Sequence, residues 1–240
     1  MTANHIRVAR RFRGPPQSAN GGYVAGLMAA AVNGTVTVRL RQPPPLDIDL
    51  QLVGDAVVEL RSESQRIATA QPATLHWQPT IPPPSHGAAL EASRYYSGHT
   101  HPVFPGCFVC GTDRAPGDGL RIFAGRVSEP GEPLRVAAPW TPHRSLAGSG
   151  TVVLPQFLFA ALDCPGFCAV STAGSLMLLA EFTVKLVRSV HPGERCVLTG
   201  EALGSAGRKH RAGTALYGED GELRGCAEAL WIEPRGSAAD

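Results

Sequence analysis

The sequence predicts an α+β chain built from one unit used twice, and three observations carry that prediction. A strand, a helix and a run of short strands occur in that order before residue 80, and the same order returns after residue 106. In both copies the strands follow one another without helical crossovers, which favours an antiparallel sheet. The third observation is the Asp220-Gly221 pair between two apolar runs, a strong hairpin signal. A unit repeated in this way reads as an internal duplication.

The elements can be justified in order. The basic run "RVARRFR" (7–13) reads as the solvated flank of a strand or as a polyanion site. "SANGGYVAGLMAAAV" (18–32) predicts a helix over about 20–33. In "GTVTVRLRQPPPL", Val36, Val38 and Leu40 alternate with polar residues as in a half-buried strand. "DIDLQLVG", "AVVELRSES" and "QRIATAQPATL" continue as short strands between turn residues. From 78 to 105 the pattern collapses into a proline-rich stretch that cannot supply ladder hydrogen bonds, so it reads as a linker or surface crossing. Tyr95 and Tyr96 leave open a lid or dimer contact there. "GLRIFAGRV" and "LRVAAPW" then predict strands, and residues 151–163 an apolar helix. "LMLLAEFTVKLVRSV", "ERCVLTGEALG" and the hairpin "RKHRAGTALYGEDGELRGCAEALWIE" complete the second unit.

Composition narrows the function classes. With 22 basic and 20 acidic residues among 240, the net charge of +2 offers no electrostatic case for nucleic acid or a membrane surface. No window approaches the apolar length of a membrane span, and the N-terminus lacks the apolar core of a secretory signal. Six cysteines without a regular framework suit reduced thiols. The chain therefore reads as soluble and cytoplasmic.

Two stretches carry candidate chemistry. Asn20-Gly21-Gly22 opens the first helix, where free backbone N–H groups could hold a carbonyl oxygen that becomes an oxyanion. The alternative is plain capping by Ser18 or Asn20 with the glycines packing closely. Asp163 follows the apolar run "FLFAAL", so the helix carries a carboxylate into or beside the core. It is a candidate general base, or else a C-terminal residue bonding the "CPG" turn.

These stretches resemble the hotdog fold, in which a long helix is wrapped by a curved antiparallel sheet. Acyl-CoA thioesterases of that fold often open the helix with His-Gly-Gly and place an Asp nine positions after the His. Here Asn20, Gly21 and Gly22 match the first motif, while the acid position falls on Ala29. In the second half Asp163 matches the acid, while Leu154, Pro155 and Gln156 stand at the His-Gly-Gly positions. Each half keeps what the other has lost. "NGGYVAGLMAAAV" and the closing hairpin are similar to the double-hotdog acyl-CoA thioesterase II family, and "CFVCGTDRAPGDGL" (107–120) resembles a lead-in found in some single-hotdog thioesterases.

The resemblance implies a tandem hotdog with units over 1–80 and 106–236 and a linker at 81–105. It implies one composite site for an acyl-CoA or related acyl thioester, in a monomer or homodimer without cofactor. Asp163 would activate water, Asn20, Gly21 and Gly22 would hold the thioester, and carboxylate and amides would stand about 5–7 Å apart. Tyr23 and the basic turn Arg208, Lys209 and His210 are the candidate substrate contacts, the turn meeting coenzyme A phosphates if it is not simply solvated. The family's Thr and Gln fall on Leu179 and Ala229, which keeps a non-catalytic acyl or small-lipid binding protein as the alternative. An enoyl-thioester hydratase would usually need a His on the helix, and none is there.

Other candidates are weaker. Cys107 and Cys110, near His99 and His101, form one metal-type knuckle without a second, so no metal is expected. Cys164 and Cys168 read as buried and inert. Ser149-Gly150 lacks the context of a hydrolase nucleophile.

Overall fold

Strand formation follows the expected alternation in the first half. In the computed structural model, which describes residues 4–171 and 175–235, β1 (Asn4–Arg7) precedes α1 (Gly21–Ala29), β2 (Val36–Leu40), β3 (Asp49–Val53), β4 (Val58–Ser62) and β5 (Gln65–Pro72). Leu50, Leu52, Val58 and Leu60 point into the core, as their period-two spacing requires. The second half runs β6 (Gly125–Arg126), β7 (Arg135–Trp140), α3 (Pro155–Val170), β8 (Leu178–Leu186), β9 (Cys196–Ala206), β10 (Lys209–Tyr217) and β11 (Leu223–Ile232). The hairpin turn between β10 and β11 uses Gly221 at φ 78°, a left-handed position that glycine occupies without strain. Residue 236, the end of the expected second unit, lies outside the described residues.

All eleven strands join one antiparallel sheet in the order β1-β3-β4-β5-β2-β8-β11-β10-β9-β7-β6. Outward from the β2–β8 seam the two sides follow the same pattern, with β6 added at one edge. At the seam Thr37 and Thr183 share a hydrogen bond of 2.6 Å between their hydroxyls, and Arg39 pairs with Glu181 at 2.6 Å. The second pair is solvent-exposed and adds little; the ladder itself joins the halves. Helices α1 and α3 pack against each other, and α3 also lies across β9, β10 and β11. One hydrophobic core spans both halves, from Val24 and Met28 to Leu162 and Phe182. No helix among the described residues is long and apolar enough to cross a membrane.

Four local expectations are corrected. Helix α1 ends at Ala29, short of residue 33. Helix α3 does not stop at 163 but continues to Val170 through Pro165. Proline removes one helical donor, yet the turn leading into it is braced from outside, where the buried Thr214 hydroxyl donates to Leu162 O at 2.8 Å. "GLRIFAGRV" forms only the two-residue β6, because Leu120 N and Ile122 N donate instead to Phe108 O and Val109 O and Arg121 takes a positive φ. The proline-rich stretch contains a helix, α2 (His86–Ser93), capped by Ser85 and packed on β7. Tyr96 is buried beside it, while Tyr95 is 73% exposed.

The approach of α1 to α3 depends on Gly22 and Gly26, four residues apart and so on one helical face. A Cβ on Gly22 would lie 2.6 Å from Asp163 Cβ, and one on Gly26 would lie 2.4 Å from Gln156 Cα. The second clash is with backbone, which cannot swing away. Gly26→Ala is therefore expected to lower stability by about 1–3 kcal/mol in urea unfolding. A change within about 0.5 kcal/mol would contradict the close packing described here.

Candidate active site

Asn20 sits at the N-cap of α1 with extended backbone, and its two amide atoms have separate tasks. Its Oδ1 accepts from Tyr23 N at 2.8 Å, which satisfies one of the helix's free donors. Its Nδ2 donates to Asp163 Oδ2 at 2.8 Å. Aspartate at position 20 could cap but not donate, so the pair of roles suits an amide.

Asp163 lies in the middle of α3, not at its end, and is 2% exposed. The alternative reading of a C-terminal residue bonding the "CPG" turn therefore fails. Its Oδ2 accepts from Gly22 N at 3.0 Å as well as from Asn20. Burial pushes the carboxyl up to about 7, against the opposing pull of the Gly22 amide and, more weakly, the Asn20 amide. The other oxygen, Oδ1, is buried without a hydrogen-bond partner among the described residues, and so is the indole Nε1 of Trp231 on β11. One unpaired acceptor and one unpaired donor thus belong to residues of the same wall.

That wall encloses a cavity of about 520 Å³, a size that suits a small-molecule ligand. Asn20, Gly21, Asp163, Leu179, Arg208 and Trp231 are among its lining residues. Leu179 packs so near Gly21 that a Cβ on the glycine would meet its Cδ2 at 2.9 Å. The Gly21 amide, in the first turn of α1, has no acceptor among the described residues.

The structure brings Asn20, Gly21, Gly22 and Asp163 together but rearranges their expected tasks. The expected gap of about 5–7 Å between the acid and the amides is absent at Gly22, whose N–H bonds the carboxylate directly. Gly22 is thereby committed to the acid and to helix packing. Tyr23 is a core residue, stacked on Phe12 with ring centroids 4.2 Å apart, and is not in the cavity wall. In the basic turn only Arg208 reaches the cavity; Lys209 is exposed and His210 bonds Glu233 at 3.0 Å. Leu179 lines the cavity as an apolar group, and Ala229 is buried in β11.

Sequence reasoning missed three features of the wall. Trp231 carried no signal beyond a strand position. Tyr96 donates its hydroxyl to Cys110 O at 3.3 Å from within the stretch read as a linker. Cys164, read as inert, lies with its Sγ 3.9 Å from that of Cys107, 57 residues earlier. With Cys110 the three form a buried thiol cluster. Neighbouring thiols lower the Cys107 thiol well below its ordinary value, whereas Cys110 and Cys164 are pushed up.

With that geometry defined, comparison with known proteins becomes informative. No family model matches the chain, and no curated protein matches it in sequence. Solved structures do match. The tesB protein of Mycobacterium avium subsp. paratuberculosis superposes with a TM-score of 0.62 at 16% identity, over 96% of this chain and 92% of that one. The acyl-CoA thioesterase II TesB2 of Mycobacterium marinum gives 0.61 at 12% identity, over 97% and 93%. A hot dog fold protein of unknown function from Alicyclobacillus acidocaldarius gives 0.59 at 13%, over 96% and 92%. This chain has the hotdog fold. At such identities the likeness to these hotdog proteins is one of fold, and the chemistry must be argued from the residues.

The Asn20 bridge makes a direct test. Asn20→Ala removes both the cap and the bond to Asp163 and is expected to cost about 2–4 kcal/mol in urea unfolding. Asn20→Ser keeps a capping oxygen and should cost distinctly less. An Asn20→Ser variant as stable as the wild type would show that the amide's bond to Asp163 contributes nothing.

Proposed function

We propose that the chain is a double hotdog that hydrolyses an acyl-CoA or related acyl thioester at one composite site between its halves. The units are residues 1–80 and 106–236, with 81–105 as the connection. The matching strand order on the two sides of the seam supports the duplication, as does the single helix that each half contributes to the α1–α3 pair. The counterpart of Asp163 is Ala29, an apolar residue, which leaves one carboxylate for the pair.

The observation that carries the reading is the state of Asp163. One oxygen is fixed by Asn20 and Gly22, and the other is an unsatisfied acceptor on a residue in the cavity wall. Such a group costs free energy unless something bonds it, and a water or substrate in the cavity would do so. In the proposed reaction Oδ1 takes a proton from water as the water oxygen attacks the thioester carbonyl carbon. The Gly21 N–H accommodates the oxyanion. Collapse breaks the carbon–sulfur bond, and the proton held by Asp163 passes to the leaving thiolate. Asn20 positions the carboxylate. Arg208 in the wall would meet a phosphate of coenzyme A. The name of the similar Mycobacterium marinum protein, an acyl-CoA thioesterase II, supports the substrate class.

The alternative, a non-catalytic acyl or small-lipid binding protein, is favoured by one observation: Leu179 and Ala229 put apolar side chains where the thioesterase II resemblance implies water-binding groups. Free-thiol release from a panel of acyl-CoAs separates the two readings. Turnover by the wild type, reduced about a hundredfold or more in Asp163→Asn with ligand affinity nearly kept, is expected for the hydrolase. Saturable binding without thiol release, or an Asp163→Asn variant as active as the wild type, would replace it with the binding protein.

A further inference from the structure

The Cys-x-x-Cys pair gains in the folded chain what the sequence denied it. The Sγ atoms of Cys107, Cys110 and Cys164 all lie within 4.8 Å of one another, with the Cys107–Cys164 pair at 3.9 Å. Three thiolates on a tetrahedral zinc ion, each about 2.3 Å from the metal, stand roughly 3.8 Å apart. The observed cluster therefore needs only small adjustments to close on an ion.

The scaffold holding them is preset. Gly111 N donates to Cys107 O at 3.0 Å, and a Cβ on Gly111 would lie 2.4 Å from that oxygen, so the turn after the second cysteine closes only with glycine. The buried Arg114 donates to Gly106 O through Nε at 3.0 Å and Nη2 at 2.8 Å, which fixes the residue before the first cysteine. Phe108 N donates to Arg13 O at 2.8 Å, tying the loop to the N-terminal segment. Cys164 comes from the rigid middle of α3. All three cysteines line the same cavity.

We propose that Cys107, Cys110 and Cys164 bind one zinc-class divalent ion, with the fourth position taken by water or a ligand from the cavity. No further His, Cys, Asp or Glu atom joins the cluster among the described residues. Three protein ligands with one open position is the arrangement of metal sites that admit an exogenous ligand. The ion would cross-link the loop at 107–110 to α3, so its removal destabilises the fold. The proposal departs from the expectation of no metal, which rested on seeing a single knuckle, and it does not depend on the thioester reading.

The test is metal content, measured on untagged full-length protein purified under reducing conditions and reconstituted with Zn2+. Wild type is expected to retain about one zinc per chain through gel filtration. With Co2+ it should show sulfur-to-cobalt charge-transfer absorption in the near ultraviolet. Cys164→Ser and Cys110→Ser should each lose the retained zinc and weaken that absorption, with folding checked by circular dichroism. Cys168→Ser, one helical turn further along α3 and outside the cluster, should keep both. Should either ligand variant fail to fold, wild-type protein still decides: no retained zinc and no charge-transfer band overturns the proposal. Zinc retained equally by wild type and a folded Cys164→Ser variant overturns it as well. Asp163→Asn should bind zinc normally even if no thioester is ever cleaved.

Discussion

A carboxylate held inside a protein by groups from another segment constrains everything around it. Asp163 on α3 takes its two bonds from Asn20 and Gly22 at the start of α1, 143 and 141 residues away in sequence. Those bonds reach only if the two helix backbones come almost into contact, and that is possible only where α1 has no side chain. Gly22 meets Asp163 and Gly26 meets Gln156. The glycines that looked like an anion cradle are thus first a packing device. The packing in turn leaves the Gly21 amide available and directs the carboxylate to the cavity wall.

The same constraint accounts for the asymmetry of the chain. Two equivalent buried carboxylates would each need a full set of donors and would each carry a desolvation cost of several kcal/mol. On the proposed duplication Ala29, a partly buried apolar residue, takes the second acid position, so one location keeps the charge and the other does not. Apart from β6 the sheet keeps one order on both sides, because its β2–β8 seam is held by backbone ladder bonds that any sequence of suitable alternation can make. Divergence of side chains within a retained backbone plan is what the proposed duplication would permit.

Much of the fold was legible in the sequence, for reasons that are local. Val36, Val38, Leu50, Leu52, Val58 and Leu60 alternate, and Asp220-Gly221 fixes the last hairpin. Asp163 was legible too, since an acid ending the run "FLFAAL" has few places to go but inward. What could not be read was set by contacts between distant segments. Pro165 hid the continuation of α3, because the Thr214 hydroxyl that braces the turn leading into it comes from a strand 52 residues beyond the Leu162 carbonyl it bonds. Helix α2 was hidden by surrounding prolines, although Ser85 caps it from its own neighbourhood. Leu120 and Ile122 have strand character but spend their amides on the cysteine loop. The convergence of Cys164 on Cys107 and Cys110 has no sequence signature at all, since spacing within one segment says nothing of a third residue on a helix.

The account rests on the claim that Asn20 and Asp163 act as one unit across the helix pair. A double-mutant cycle in urea unfolding with Asn20→Ala, Asp163→Ala and the double variant measures this directly. A coupling energy of about 1–3 kcal/mol is expected for a buried, charge-assisted hydrogen bond between residues in contact. Additive losses, with a coupling indistinguishable from zero, would contradict it.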